Sequence, residues 1–252
     1  MIIGQFCETY PPGAGRRGRV MLAYCQTLSR MGHRCLYIAP RDAAATSVPG
    51  LETLLYPSMP IPGEPYRVGI PALGRDFRRA ARSVPFDVVH AHTPFLAGRA
   101  ARRIARRRRI PLVATFHSKY YEDFYRVTHS RRLSLWALKY VVSFYNTCDE
   151  VWAVNDKTAD VLRQYGYRGP VITMPNGTDR SPSATRRTVA YWRAGPCATA
   201  SAPLFVGQMD FKKNPHLILR AVRCCAIRGR ISSLSWRARG RIWSGSRPWP
   251  PP

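Results

Sequence analysis

The stretch Phe86-Asp87-Val88-Val89-His90-Ala91-His92-Thr93-Pro94 narrows the choice of fold more than any other part of this 252-residue chain. Phe86 to Val89 is a short, largely apolar, β-branched run, as expected of a strand buried in a parallel sheet. It follows a proline turn, Ser83-Val84-Pro85, and leaves through two histidines on alternate residues. Alternation puts both histidine side chains on one face of the strand end. In open α/β sheets ligands bind just beyond the carboxyl ends of the strands, which makes His90 and His92 candidate site residues. Histidines that merely cap a strand and bond to loop backbone would give the same pattern.

The neighbouring segments supply the rest of such a sheet. Ile2 to Cys7 reads as a buried strand, and Tyr10-Pro11-Pro12-Gly13-Ala14-Gly15 as a Gly/Pro loop. A helix follows with Val20, Tyr24, Leu28 and Met31 on one face and Gly32 as its stop; Arg34 to Ala39 is the next strand. Strand, loop, helix and strand make a βαβ unit, so the expected fold is α/β with a Rossmann-like parallel sheet. Gly13-x-Gly15-x-x-Gly18 matches a dinucleotide fingerprint in spacing only, because Pro11-Pro12 precede it and no acid ends the second strand to hold a ribose.

Residues 41–73 read as a long excursion or a small strand pair, and Arg75 to Arg82 as a short basic amphipathic helix. A second basic helix, Gly98 to Arg109, leads to a strand from Ile110 to Phe116 that ends in His117-Ser118-Lys119. A second strand delivering histidine at its carboxyl end strengthens the site reading. Ser130 to Thr147 patterns as a long helix with a wide apolar face, and Cys148 to Val154 as a strand. Asn155 caps a helix stopped by Gly166, and Val171 to Met174 is a strand closed by Pro175-Asn176-Gly177. Near Pro203 a new unit begins, with a strand from Leu204 to Gly207, a polar turn to Lys213 and a helix from Pro215.

Seven irregularly spaced cysteines contain no Cys-x-x-Cys pair, which argues against a zinc ribbon or redox motif and for a reducing compartment. The N-terminus lacks a basic region and a long apolar core, so no signal peptide is expected, and no apolar run is long enough to span a membrane. The net charge is +26, and from Arg180 onward 14 Lys and Arg face a single acid, Asp210.

Five segments, taken in order, resemble the retaining glycosyltransferases of family four, whose GT-B fold pairs two Rossmann-like domains. They are Phe86 to Pro94, Pro111 to His117, Ala153 to Asn155, Pro175 to Asp179 and Val206 to Asn214. The resemblance covers nearly all of residues 1–222. It implies an N-terminal domain that binds the acceptor and a C-terminal domain that binds a nucleotide-sugar. The sugar then passes to a lipid or saccharide acceptor with retention, and no metal or other cofactor is implied. By position, Gly13 and Gly15 resemble the loop that approaches the donor diphosphate, and His117 the histidine that faces the transferred sugar. Lys213 resembles the lysine that neutralises the leaving group, although Gln208 stands where the family has a companion arginine. His90, His92, Asn155 and Asn176 are expected to line the acceptor side of the cleft. Membrane-acting members dock on anionic lipid through basic segments, which suggests that role for Arg75–Arg82, with Phe77 between its arginines, and for Arg99–Arg109. The expected location is cytoplasmic or peripheral on the inner face of the plasma membrane. Nucleic acid is not expected as a partner, for want of a recognisable module.

The family's Glu-x7-Glu segment is not found, and no acid follows Asp210. Trp has one codon, TGG, and legal codons for Arg228 to Arg247 exist whose other frame reads Gly-Thr-Asp-Phe-Glu-Leu-Val-Leu-Ala-Gly-Glu-Gly-Pro-Asp-Leu-Glu-Arg-Leu-Lys. That is a strand and a Gly-Glu-Gly-Pro turn, as the family would show next. The expected organisation is therefore an acceptor-side domain over 1–179, a linker over 180–202 that may itself be out of frame, the first strand and helix of a donor domain over 203–222, and a non-native frameshift tail over 223–252. Impaired transfer is expected of such a chain. An acceptor-binding subunit, or a basic membrane- or nucleic-acid-binding module without catalysis, is the alternative.

Overall fold

The central apolar runs assemble into one parallel sheet because they are too hydrophobic to leave either face in water. The computed structural model describes residues 1–10, 15–42, 48–60, 67–117, 119–177, 204–207, 215–227 and 235–238, in two units, Met1–Thr178 and Asp179–Pro252. In chain order the first unit contains β1 (Ile2–Phe6), α1 (Gly15–Arg30), β2 (Arg34–Pro40), β3 (Glu52–Tyr56), β4 (Ser58–Pro60) and β5 (Arg67–Gly69). It continues with α2 (Arg75–Ser83), β6 (Val88–Ala91), α3 (Leu96–Arg108), β7 (Leu112–Phe116) and α4 (Tyr121–Thr128). It closes with α5 (Arg131–Tyr145), β8 (Glu150–Ala153), α6 (Asp156–Gln164) and β9 (Ile172–Thr173).

The sheet runs β3-β2-β1-β6-β7-β8-β9 with every neighbouring pair parallel. Strand order therefore reverses between β1 and β6, the topological switch point where such sheets open a crevice. Alternation sorts the core into two clusters. Phe6, Ile38, Val89, Ala114 and Phe116 pack with residues of α2, α3, α5 and α6, including Phe77, Ala101, Val141 and Leu162. Ile3, Cys7, Cys35 and Tyr37 pack under Met21 and Cys25 of α1. Close packing of α3 depends on Gly98, where a Cβ would stand 2.1 Å from the Thr93 carbonyl oxygen. Gly32 and Gly166 stop their helices with φ of 85° and 101°.

Several expectations are revised. The buried face of α1 is Met21 and Cys25, about one residue round from the predicted stripe, and Met31 lies beyond the helix, 66% exposed. Residues 41–73 do contain a strand pair, antiparallel β4 and β5, but also β3, which joins the main sheet. Helix α4 was not expected; it has no fully buried residue, although Tyr121 and Phe124 pack half-buried against the core. Phe77 is 5% exposed and packs edge-on against Tyr56 at 5.4 Å, so it is a core residue and cannot enter a membrane.

The second unit contains β10 (Leu204–Gly207), α7 (Pro215–Ile227) and β11 (Ser235–Ala238), with β10 and β11 parallel. Strand β11 falls in a stretch whose sequence has no usable period. The proposed linker, 180–202, lies outside the described residues.

Candidate functional site at the carboxyl edge of the sheet

Because the strands are parallel, their carboxyl ends lie along one edge. His92 follows β6, His117 follows β7, Asn155 follows β8 and Asn176 follows β9. On the face covered by α1, sheet register sets Gln5 of β1 beside His90 of β6, and Thr115 of β7 beside Trp152 of β8. A polar row thus crosses the β1/β6 switch point, in a layer that is otherwise apolar.

The row is closed by hydrogen bonds. His92 Nε2 lies 2.7 Å from the Gln5 carbonyl oxygen, and His92 Nδ1 lies 3.0 Å from His117 Nε2. His90 Nε2 lies 2.7 Å from the Thr115 hydroxyl. Aromatic rings hold the imidazoles in place. Tyr24 of α1 sits 5.6 Å from His90 and 5.8 Å from His92, and Trp152 sits 4.9 Å from His90. Burial pushes the His90 imidazolium down to about 3, with the nearby His117 adding to the effect. Burial likewise holds His92 well below the ordinary histidine range, helped by His90 and then His117. Both rings are neutral at physiological pH. His117 is only half-buried, and is the member of the trio that reaches the edge.

His90 and His92 are buried rather than lining a surface, and their rings bond to the protein groups just named. Asn155 Oδ1 accepts from the Thr158 backbone N–H at 2.8 Å and from the Thr158 hydroxyl at 2.9 Å, as the cap of α6. Asn176 is exposed. Gly15 opens α1, whereas Gly13 and Lys213 lie outside the described residues. Glu8, just past β1, accepts from the Ala97 N–H at 3.2 Å and so places a carboxylate at the positive end of α3.

Sequence reasoning missed Gln5, Tyr24, Thr115 and Trp152 as partners of the histidines. The available signal was Gln5 itself, an amide inside the apolar run Ile2–Phe6 that demands a buried partner. Tyr24 and Trp152 read as ordinary apolar residues. Among the described residues no group of three or more His, Cys, Asp or Glu is placed to hold a metal ion, and no helix is long and apolar enough to cross a membrane.

A family model described as Glycosyltransferase Family 4 matches residues 18–181. The chain is 24% identical over 183 residues to an alpha-monoglucosyldiacylglycerol synthase of Streptococcus pneumoniae, covering 71% of this chain and 41% of the relative. It is 25% identical over 223 residues to a GDP-mannose-dependent alpha-mannosyltransferase of Corynebacterium glutamicum, covering 85% and 52%. The chain thus spans about half the length of the curated relatives it matches. Among solved structures it is similar in fold to Arabidopsis thaliana UGT89C1 complexed with UDP, with TM-score 0.50 at 11% identity, covering 94% of this chain and 64% of that one.

Proposed function

The chain belongs to glycosyltransferase family 4, and on that premise we propose that it is the acceptor-side part of an enzyme that moves a sugar from a nucleotide-sugar to a lipid or saccharide acceptor with retention. The observation that carries this reading is His117, half-buried at the carboxyl end of β7 within the matched segment, beside the β1/β6 switch point. In this reading His117 faces the transferred sugar. Gly13 and Gly15 let backbone approach the diphosphate, and the ammonium of Lys213 offsets the charge that develops on the leaving group. The sugar–diphosphate bond breaks with its electron pair leaving on the diphosphate oxygen, and the acceptor hydroxyl passes its proton to that departing oxygen as the new glycosidic bond forms. The named relatives, a monoglucosyldiacylglycerol synthase and a GDP-mannose-dependent mannosyltransferase, support a diacylglycerol lipid as acceptor and either a glucosyl donor or GDP-mannose. We assign the activity of this chain as impaired, with a reading-frame slip near residue 223.

The test compares this chain with a product whose frame is restored at that point. Each is given UDP-glucose or GDP-mannose with diacylglycerol or glycolipid vesicles, and products are read by mass spectrometry. Transfer by the restored protein and little or none by the chain is the expected result. No transfer by the restored protein refutes the transferase reading, and equal transfer by both refutes the impairment.

A second reading, a basic membrane-docking module, is favoured by the exposed Arg75, Arg78, Arg79 and Arg82 of α2 and Arg103, Arg106 and Arg107 of α3. Arg99 is not part of that charged face, because its guanidinium stacks on Tyr140 at 3.6 Å. With Phe77 buried, the exposed Leu133 and Trp136 of α5 supply the apolar component such docking needs. Salt-sensitive binding to anionic vesicles that survives His117→Ala, and that RNA does not displace, is expected. Equal binding to neutral vesicles would refute it.

A further inference from the structure

We propose that Gln5 and His92 are positioning residues that fix the tautomer of His117, making Nε2 its donor nitrogen and Nδ1 its acceptor nitrogen. The Gln5 carbonyl oxygen carries no hydrogen, so at 2.7 Å His92 must donate to it from Nε2. A neutral imidazole has a single N–H, so His92 Nδ1 is an acceptor. The contact of 3.0 Å between His92 Nδ1 and His117 Nε2 then requires His117 to donate. The rings of His92 and His117 are inclined by only 19°, with centroids 5.2 Å apart, as suits a bond made edge to edge in a shared plane. Gln5 is 1% exposed and His92 fully buried, so water does not compete for either nitrogen. Burial also keeps His92 neutral, and this assignment depends on that state.

A consequence for ligand chemistry follows. With Nε2 donating inward, Nδ1 of a neutral His117 ring is an acceptor. It then favours groups that donate a hydrogen bond, such as a sugar hydroxyl, over acceptor-only groups such as phosphate oxygens. The tautomer rests on the ring contacts and on the neutral state of buried His92; only its use toward a sugar rests on the transferase reading above.

The test is nitrogen-15 NMR of imidazole-labelled protein at neutral pH, with no ligand and no activity required. His92 and His117 should each show a protonated Nε2 and an unprotonated Nδ1. Gln5→Met keeps the length and volume of the side chain but removes the acceptor. It should convert His117 from one tautomer to an exchanging mixture while the amide spectrum stays folded. A protonated Nδ1 on His117 in the unaltered protein overturns the proposal, whatever the variant does. An unchanged single tautomer in folded Gln5→Met overturns the role of Gln5. If the tautomers are found as stated but the frame-restored enzyme transfers nothing, the transferase reading fails and this one stands.

Discussion

Acidification should destabilise this protein before its carboxylates protonate, and the buried histidine pair sets the size of the effect. In the native state the His90 imidazolium is pushed down to about 3 and His92 well below the ordinary value of 6.5. In the unfolded chain both return to that ordinary value. Their contribution is therefore complete above about pH 6.5 and is lost as pH falls through the interval toward 3, because only the unfolded state takes up the protons. From about pH 7.5 to about pH 5 the linkage relation gives a loss of roughly 2 kcal/mol per histidine, or roughly 4 kcal/mol for the pair. That is a large part of the stability of an ordinary domain. The assay is urea unfolding at the two pH values, followed by tryptophan fluorescence, since Trp152 lies against His90. His90→Asn lowers baseline stability by leaving the Thr115 hydroxyl without its histidine partner, but it should remove about half of the pH-dependent part. A pH-dependent loss below about 1 kcal/mol, or one unchanged in folded His90→Asn, would refute the reasoning.

Three further outcomes are expected. Gly98→Ala should destabilise the first unit by roughly 2 kcal/mol, read as a fall in denaturation midpoint, because the new Cβ would lie 2.1 Å from the Thr93 carbonyl oxygen and 2.9 Å from the Phe144 ring. A neutral effect would mean that α3 does not pack as closely as described. Asn155→Ala should cost about 1 kcal/mol through loss of the α6 cap, and Asn155→Asp should restore most of it. Tyr56→Phe should cost about 1 kcal/mol in the same assay, because it leaves the buried Cys7 carbonyl without the phenol that donates to it at 2.7 Å.

From the residues alone, the local elements and the fold class were legible. Apolar β-branched runs declared the strands, Asn155 and Ser130 marked helix starts, and Gly32 and Gly166 marked helix stops. These signals depend on atoms within a turn or two of chain, so local sequence contains the relevant energy. The family was legible too, since its five segments keep their order along the chain. The placement of side chains was a tertiary decision. The sheet turned α1 by about one residue from its predicted face, drew β3 onto its edge and buried Phe77 among core rings. His90 and His92 looked like open candidates until Gln5, 87 residues before His92, and Thr115, 25 residues beyond His90, took their ring nitrogens. Spacing placed two histidines on one face of a strand end. Which nitrogen each one offers is set by partners that only the folded sheet brings within hydrogen-bond reach.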